Sequence, residues 1–259
     1  MYVINSLFSA FLMYSKIPMP KTEWKEENRR FSLCFFPLIG AVCGALIILW
    51  YFVCRWLGGG DFLFAAVSVA IPVIVTGGIH LDGFCDVCDA RASWGGKEKM
   101  LEIMSDSHIG AFATIKLSLY LILQTAFLTK INTFDMILIY SIGMIFSRAL
   151  SGLAAVTFKS AKSTGALQSF KKPAHKKITI ASELFFIALS SIAILFISPV
   201  AGTVAIVGGF AVFAYYRIFS YKKFGGITGD LEGWFLQMCE FTILLCTASS
   251  YMILDLSEV

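Results

Sequence analysis

Four aspartates, at positions 82, 86, 89 and 106, lie close together in a chain of 259 residues that is otherwise mostly apolar. Carboxylates in apolar surroundings raise the free energy of a fold unless a partner compensates their charge. A divalent cation is the simplest such partner, because hard cations prefer oxygen ligands. Cations held by carboxylates commonly bind phosphate in turn, so we predict a site for a cation and a phosphate-bearing ligand in this interval.

Three of the aspartates, Asp82, Asp86 and Asp89, follow one another at intervals of four and three residues. On a helix this spacing places the three side chains on one face, where like charges repel and a bound cation reverses the sign of the interaction. The alternative is an acidic helix face exposed to water. The cation is favoured because residues 80–108 hold six acids against three bases, whereas the other hydrophilic segments are basic on balance.

Asp106, His80 and His108 border this acidic interval. Asp106 precedes a long apolar segment, where an aspartate either caps a helix N-terminus or reaches a metal from a second helix. A lone histidine is most often a hydrogen-bonded structural residue, although His80 and His108 could also contact phosphate or transfer a proton. The residues themselves leave these alternatives open.

Three further charged residues, Lys116, Arg148 and Glu240, interrupt apolar segments. Ionisable groups at such positions usually pair with one another or serve function. For each of them we therefore consider both an internal ion pair and a contact with a substrate.

A glycine-rich segment, residues 224–230, precedes the last apolar segment. Glycines at 225, 226 and 229 free backbone N–H groups to surround an anion beside the positive end of the following helix. The alternative is a flexible linker in which Asp230 caps that helix. Upstream, residues 159–177 carry six lysines and no acid, a composition that suits contact with anionic lipid or attraction of a polyanionic substrate.

The elements that must position these groups are membrane helices. Hydrophobic residues make up 58% of the chain and charged residues 15%, where a soluble domain carries about 25% charged residues. Backbone groups in lipid must pair within their own segment, and the alternation typical of a β-barrel is not visible, so we predict an all-α polytopic helical bundle. Seven segments are long enough to cross the hydrocarbon layer: 33–54, 62–79, 109–129, 134–158, 178–197, 200–216 and 233–254.

The remaining segments predict an orientation. Residues 2–17 are apolar but interrupted by serines, which predicts an N-terminal interfacial helix. Of the 21 Lys and Arg, 17 lie in residues 1–32, 80–108, 159–177 and 217–232, and the positive-inside tendency places these segments in the cytoplasm. The positive balance thus reflects topology, and we expect contact with membrane lipid but not with nucleic acid.

We therefore expect one domain, residues 1–259, that crosses the plasma (inner) membrane several times, with the acidic loop 80–108 on the cytoplasmic side. The sequence leaves a homo-oligomer as an open alternative.

The acidic interval resembles the signature of the cobalamin synthase family, the adenosylcobinamide-GDP ribazoletransferases of bacterial vitamin B12 assembly. The resemblance rests on HLDGFCDVCDA at 80–90 and EIMSDSHIGAFA at 102–113. IPMP at 17–20, FFPLIG at 35–40 and GGITGD at 225–230 resemble further blocks of the family, so nearly the whole chain is covered. The chain departs from the commoner pattern at Ala90 and Ala113, where glycine is frequent, and at His108, where arginine is frequent.

The resemblance implies a transfer reaction that requires Mg²⁺. Family members join the corrinoid phosphate of adenosylcobinamide-GDP to α-ribazole or its 5′-phosphate and release GMP. On this basis we expect three Mg²⁺ ligands: Asp82, Asp86 and Asp106. The candidates for the base that deprotonates the attacking hydroxyl are Asp89, Asp230 and His80. The expected substrate contacts are His108, Lys116, Arg148, Gly226, Thr228, Gly229 and Glu240.

Two other functions fit parts of the sequence. A CDP-alcohol phosphotransferase also has an acidic motif, and Ala90-Arg91 is a partial match to it, but its later Gly-x-x-x-Asp-x-x-x-Asp pattern is absent. A cation-coupled transporter would also carry membrane carboxylates. Transporters usually show internal repeats and midplane sites. No repeat is visible here and the acids gather near the predicted cytoplasmic border, which favours the transferase.

Overall fold

The computed structural model describes residues 2–106 and 108–257, with side chains described as far as Ile253. Within these residues the chain is α-helical, with one 3-10 turn at Ser32–Phe35, an isolated bridge between Ser160 and Ile227, and no β-strand. The helices are α1 Tyr2–Tyr14, α2 Glu26–Arg29, α3 Phe36–Trp56, α4 Asp61–Thr76, α5 Ile79–Ala92, α6 Lys97–Ile103, α7 Ala111–Leu128, α8 Phe134–Thr157, α9 Ala166–Lys171, α10 Lys176–Ile197, α11 Pro199–Phe224 and α12 Gly229–Ser257.

Across the described residues, six helical segments are long and apolar enough to cross a membrane, and α4 with α5 would form a seventh span. The predicted all-α polytopic bundle is therefore confirmed. Helices α3, α4, α7, α8, α10 and α12 begin and end within four residues of the predicted segments. Helix α11 differs, because it continues to Phe224, eight residues beyond the predicted end at Tyr216.

The segment 80–108, predicted as a loop, is mostly helical, because α5 and α6 occupy much of it. Helix α5 turns away from α4 by 96°. The turn lies at Gly77 and Gly78, whose φ values are +67° and +79°. Glycine adopts positive φ without the steric cost that a side chain brings. Gly77 and Gly78 therefore permit the bend, and Pro72 lies within α4 before it.

The centre of the bundle is α8, which packs against α3 and α10, while α12 packs against α5, α8 and α11. Small residues allow close approach at these contacts. A Cβ atom at Gly40 of α3 would lie 2.2 Å from the Met144 backbone oxygen of α8, and one at Gly44 would lie 2.6 Å from that of Ser141. Helices α3 and α8 therefore meet backbone to backbone.

The N-terminal segment forms the predicted helix, α1, which packs against α2 and the 3-10 turn. Asn5 on α1 donates a side-chain hydrogen bond to Asn28 on α2 at 2.9 Å. The chain after α1 then runs past the bend, where the Lys16 backbone N–H donates to the Val75 carbonyl at 2.7 Å. The chain after α1 is thus attached to the end of α4, just before the bend into α5.

Candidate active site

The acidic helix α5 and the start of α12 touch through two glycines. A Cβ atom at Gly83 of α5 would lie 2.7 Å from both the Cα and the carbonyl oxygen of Asp230. One at Gly233 of α12 would lie 2.9 Å from the carbonyl oxygen of His80. The two helices can approach this closely only because both positions lack a side chain. Their contact brings residues 82 and 230, far apart in sequence, into one site.

A cavity of about 100 Å³ opens beside this contact, and we call it the aspartate cavity. Its polar lining comes from three helices: His80 and Asp82 of α5, Ser151 of α8, and Asp230 and Glu232 of α12. Aromatic and apolar groups close the remaining walls, among them Tyr14, Phe36, Leu167 and Leu236. The site is therefore a small polar chamber inside a mostly apolar bundle.

Asp86 lies one turn farther along α5 and is partly buried. Its charge is repelled by Asp82, Asp230 and Asp89 and attracted by Lys162. Three carboxylates thus repel the carboxylate of Asp86, and the charge of one lysine offsets part of that repulsion. Such a set has a strong electrostatic affinity for a cation.

Asp89 is bound to the start of α7. Its Oδ2 accepts a hydrogen bond from the Gly110 backbone N–H at 2.6 Å, and its Oδ1 accepts from the Ala113 N–H at 2.8 Å. These N–H groups belong to the first turn of α7, whose positive end stabilises a carboxylate. Asp89 therefore fills the capping role that the sequence allowed for Asp106, and the cap interpretation of Asp106 is wrong.

Asp106 lies outside α7 on an exposed segment. Its Oδ1 accepts hydrogen bonds from the backbone N–H of His108 at 3.0 Å and contacts the ring Nδ1 of His108 at 2.7 Å. These bonds hold the pKa of the Asp106 carboxyl below its usual range. Asp106 is not among the charged groups that act on Asp86.

No three carboxylate, histidine or cysteine side chains among residues 2–106 and 108–253 form a complete metal cage. Magnesium does not require one, since it usually keeps several waters and binds one or two carboxylates together with substrate phosphates. Asp82 and Asp86 of α5 supply two carboxylates, which is a number that fits Mg²⁺, and Asp230 of α12 adds negative charge beside Asp86.

Two of the charged residues within the spans form an internal pair. Arg148 Nη1 donates to Glu240 Oε1 at 2.6 Å, and the two side chains are 1% and 3% exposed. Ser147 donates to the same oxygen at 3.1 Å, and Arg148 also donates to the Met144 carbonyl at 3.0 Å. Of the two alternatives drawn from the sequence, the structure thus shows internal pairing, and neither side chain lines the aspartate cavity.

Lys116 lies apart from the aspartate cavity. It lines a groove on the other side of α5 and α7 with Arg91, Trp94, Phe112 and Lys223. This groove is basic, and it shares no residue with the lining of the aspartate cavity.

The glycine-rich segment is held in place rather than free. Ile227 N–H donates to the Lys159 carbonyl and Ala161 N–H donates to the Ile227 carbonyl, both at 2.8 Å. A Cβ atom at Gly226 would lie 2.4 Å from the Lys159 oxygen, so this pairing requires glycine. The interpretation of this segment as a flexible linker is therefore wrong. The pairing also brings Lys162 towards the carboxylates of the site.

Thr228 rather than Asp230 caps α12. The Leu231 N–H donates to Thr228 Oγ1 at 3.2 Å, and Thr228 donates to Asp230 Oδ2 at 3.4 Å. Asp230 is thereby held towards the aspartate cavity. Gly229 lines both this cavity and a neighbouring groove formed with Lys162, Thr164 and Gln168.

Similarity to known proteins shows which family the chain belongs to. A family profile described as cobalamin-5-phosphate synthase matches residues 6–248. The chain belongs to this family. An adenosylcobinamide-GDP ribazoletransferase of Lachnoclostridium phytofermentans is 43% identical over 92% of this chain and 90% of its own length. One of Clostridium perfringens is 33% identical over 90% of this chain and 93% of its own length. One of Treponema denticola is 33% identical over 91% of this chain and 94% of its own length. No solved structure matches the chain.

Two residues of this cobalamin-5-phosphate synthase family member were missed by the sequence analysis. Lys162 was treated only as one of six loop lysines, although it is the cation that acts on Asp86 and Asp230. Glu232 was not singled out at all. Its position two residues after Asp230 was the only available signal, and an acid in the first turn of a helix is common for reasons of the helix dipole.

Proposed function

We propose that this chain is an adenosylcobinamide-GDP ribazoletransferase. It joins the corrinoid phosphate of adenosylcobinamide-GDP to α-ribazole or its 5′-phosphate and releases GMP. The observation that carries this proposal is the meeting of Asp82 and Asp230 across the Gly83 contact, which unites the two acidic motifs in one cavity. Similarity to ribazoletransferases over nine tenths of the chain supports the choice of substrates.

In this proposal Asp82 and Asp86 hold Mg²⁺, and Asp230 takes the place of Asp106 as the third nearby carboxylate without binding the ion. The electrostatic action of Asp230 on Asp86 supports this choice. When bound, the ion would neutralise part of the charge that develops on the leaving GMP. Lys162 lies beside the same carboxylates and would contact a phosphate oxygen of the substrate.

The exchange forms one bond and breaks another. A ribose hydroxyl oxygen attacks the phosphorus attached to the corrinoid side chain, and the bond from that phosphorus to the bridging oxygen of GMP breaks. The hydroxyl proton passes to a base in the cavity, for which Asp230 and His80 are the candidates that line it. Both oxygens of Asp89 already accept backbone hydrogen bonds, so we assign Asp89 a positioning role.

The protein would work in the plasma membrane with α5, α6 and α9 towards the cytoplasm. The distribution of Lys and Arg supports this orientation. Exposed apolar side chains on α7, such as Ile115, Leu119 and Ile122, fit contact with lipid. Whether copies associate in the membrane is open to measurement by cross-linking.

A turnover assay tests the proposal. Protein purified in detergent or lipid nanodiscs receives Mg²⁺, adenosylcobinamide-GDP and α-ribazole, and GMP is quantified. We expect GMP in amounts equal to the coupled corrinoid product, and none when α-ribazole is omitted. Passage of a solute into liposomes without GMP release would instead favour a transporter. Acceptance of a CDP-alcohol in place of the corrinoid nucleotide would favour the other phosphotransferase class.

A further inference from the structure

Glu232 is a buried carboxyl group that lines the aspartate cavity. It lies in the first turn of α12 and is 8% exposed. Its Oε2 accepts a hydrogen bond from Ser151 Oγ of α8. Its Oε1 has no partner within hydrogen-bond distance among the described residues, and the Tyr216 hydroxyl, which also lacks a partner, lies near the same carboxyl group. A buried polar atom without a partner costs free energy, so a ligand group that donates to it would be bound favourably.

The surroundings of Glu232 contain no paired cation. Four elements contribute polar or charged groups near it: Tyr14 of α1, Ser151 of α8, Lys171 of α9 and Tyr216 of α11. Lys171 attracts Glu232 electrostatically. Its ammonium, however, donates hydrogen bonds to the Phe158 carbonyl and to Ser160 Oγ. No salt bridge to Glu232 occurs within the described part of the chain.

This environment selects between the two substrates. A buried carboxyl group without a paired cation offers no positive charge to a phosphate, whereas it exchanges hydrogen bonds readily with neutral hydroxyl groups. The diphosphate of the corrinoid nucleotide therefore belongs beside Asp82, Asp86 and Lys162, where a cation would bind. The end of the cavity at Glu232 suits a neutral sugar.

The cavity walls fit an aromatic nucleoside. The Tyr14 and Phe36 rings are tilted by 45° with centroids 4.6 Å apart, and the His80 ring meets Phe36 edge-on with centroids 5.9 Å apart. All three line the cavity, whose 100 Å³ suits one polar fragment such as a ribose ring rather than a whole substrate. The base of the nucleoside would then lie against the aromatic walls at the cavity mouth.

We propose that Glu232, held in place by Ser151, binds a ribose hydroxyl of the acceptor α-ribazole and thereby sets the position of the attacking sugar. This inference rests on the proposed function, because it assigns one of that reaction's two substrates to one end of the cavity. Glu232 is then a substrate-binding residue, and Ser151 is a positioning residue that acts through it.

Equilibrium binding tests the proposal without turnover. Calorimetry measures the affinity of the detergent-solubilised protein for α-ribazole in the absence of Mg²⁺ and of the corrinoid substrate. Glu232→Gln is expected to bind about tenfold or more weakly, since one carboxyl oxygen is replaced by an amide NH₂ that cannot accept a hydrogen bond from the ribose. Ser151→Ala is expected to bind about threefold more weakly. The matched control is Glu183→Gln, because Glu183 is a fully buried carboxylate of α10 that does not line the cavity, and its affinity should be unchanged.

Kinetics and substrate analogues provide the second readout. Glu232→Gln should raise the KM for α-ribazole and leave the KM for adenosylcobinamide-GDP unchanged. Deoxy analogues of α-ribazole, each lacking one ribose hydroxyl, should include one that binds the wild type more weakly but binds Glu232→Gln as α-ribazole does. Should Glu232→Gln fail to fold, Ser151→Ala with the same analogues gives the same comparison.

Two outcomes would overturn the ribose assignment: unchanged affinity for α-ribazole in Glu232→Gln, or an increase only in the KM for the corrinoid nucleotide. Failure of the wild type to release GMP is a different result. It would refute the proposed function, while the binding measurement would still decide whether Glu232 holds a ribose.

Discussion

The backbone of Asp230 lies so close to Gly83 that a Cβ atom at position 83 would meet the Asp230 Cα at 2.7 Å. No flexible side chain lies between them that could move aside. The distance between the two acidic motifs is therefore set by the absence of a side chain at residue 83.

Gly83→Ala is expected to separate α5 from α12. The added methyl group must displace backbone, which costs about 1–3 kcal/mol of stability. A shift of about 1 Å in the site should lower GMP release about a hundredfold. Gly60→Ala is the control, because residue 60 has φ −82° and open space around a Cβ atom. Equal loss in both variants would refute the role of the contact.

Asp82→Asn and Asp86→Asn should each lower turnover about a hundredfold or more, because each removes a proposed oxygen ligand and a negative charge. Folding should be retained, since neither carboxylate forms a hydrogen bond or salt bridge among the described residues. GMP release and the melting temperature are measured together. Asp61→Asn, at the opposite end of α4, serves as the control and should keep full activity.

Chelation of divalent cations should stop GMP release, and added Mg²⁺ should restore it. Mn²⁺ can replace Mg²⁺ as a probe because its bound and free forms differ in their electron paramagnetic resonance signals. We expect the wild type to bind Mn²⁺ and Asp86→Asn to bind it at least tenfold more weakly. Full turnover in the chelator would contradict the metal proposal.

Asp89→Asn separates positioning from proton transfer. The amide retains only one acceptor oxygen, so one of the bonds to Gly110 and Ala113 is lost and the start of α7 loosens. We expect a loss of stability of about 1–2 kcal/mol and a decrease in turnover of about tenfold. A loss of a thousandfold or more at an unchanged melting temperature would identify Asp89 as the base instead.

Glu240→Gln should destabilise the protein by about 3–5 kcal/mol, because the buried guanidinium of Arg148 loses its charged partner. The double variant Arg148→Met with Glu240→Leu should recover much of that loss, since it leaves no charge unpaired. Denaturant titration measures both. Glu23→Ala breaks a pair with Lys25 that is exposed to solvent, and it should leave the free energy of unfolding nearly unchanged.

The spans could be predicted from the sequence because a helix in lipid must be apolar along its whole length. The end of α11 could not be predicted in this way. Arg217, Lys222 and Lys223 lower the local hydropathy, which indicates where a helix leaves the hydrocarbon but not where its backbone hydrogen bonding ends. Hydropathy also gave no sign that α5 and α6 fill the acidic segment.

Only part of the site could be predicted from the sequence, because some of its relations are local in the chain and others are not. Spacing alone placed Asp82 and Asp86 on one helix face, since that relation is local. The bonds from Gly110 and Ala113 to Asp89 span more than 20 residues, and the pairing of Arg148 with Glu240 spans 92. Such contacts depend on which helices become neighbours, which composition and periodicity do not specify.

The contact between α5 and α12 joins residues from the first third of the chain to residues near its end. A ribosome that has released only the first 228 residues has already made Asp82, Asp86 and Ser151, but not Asp230 or Glu232. Catalytic competence must therefore wait for insertion of the last helix, so incomplete translation products would be inert rather than partly active.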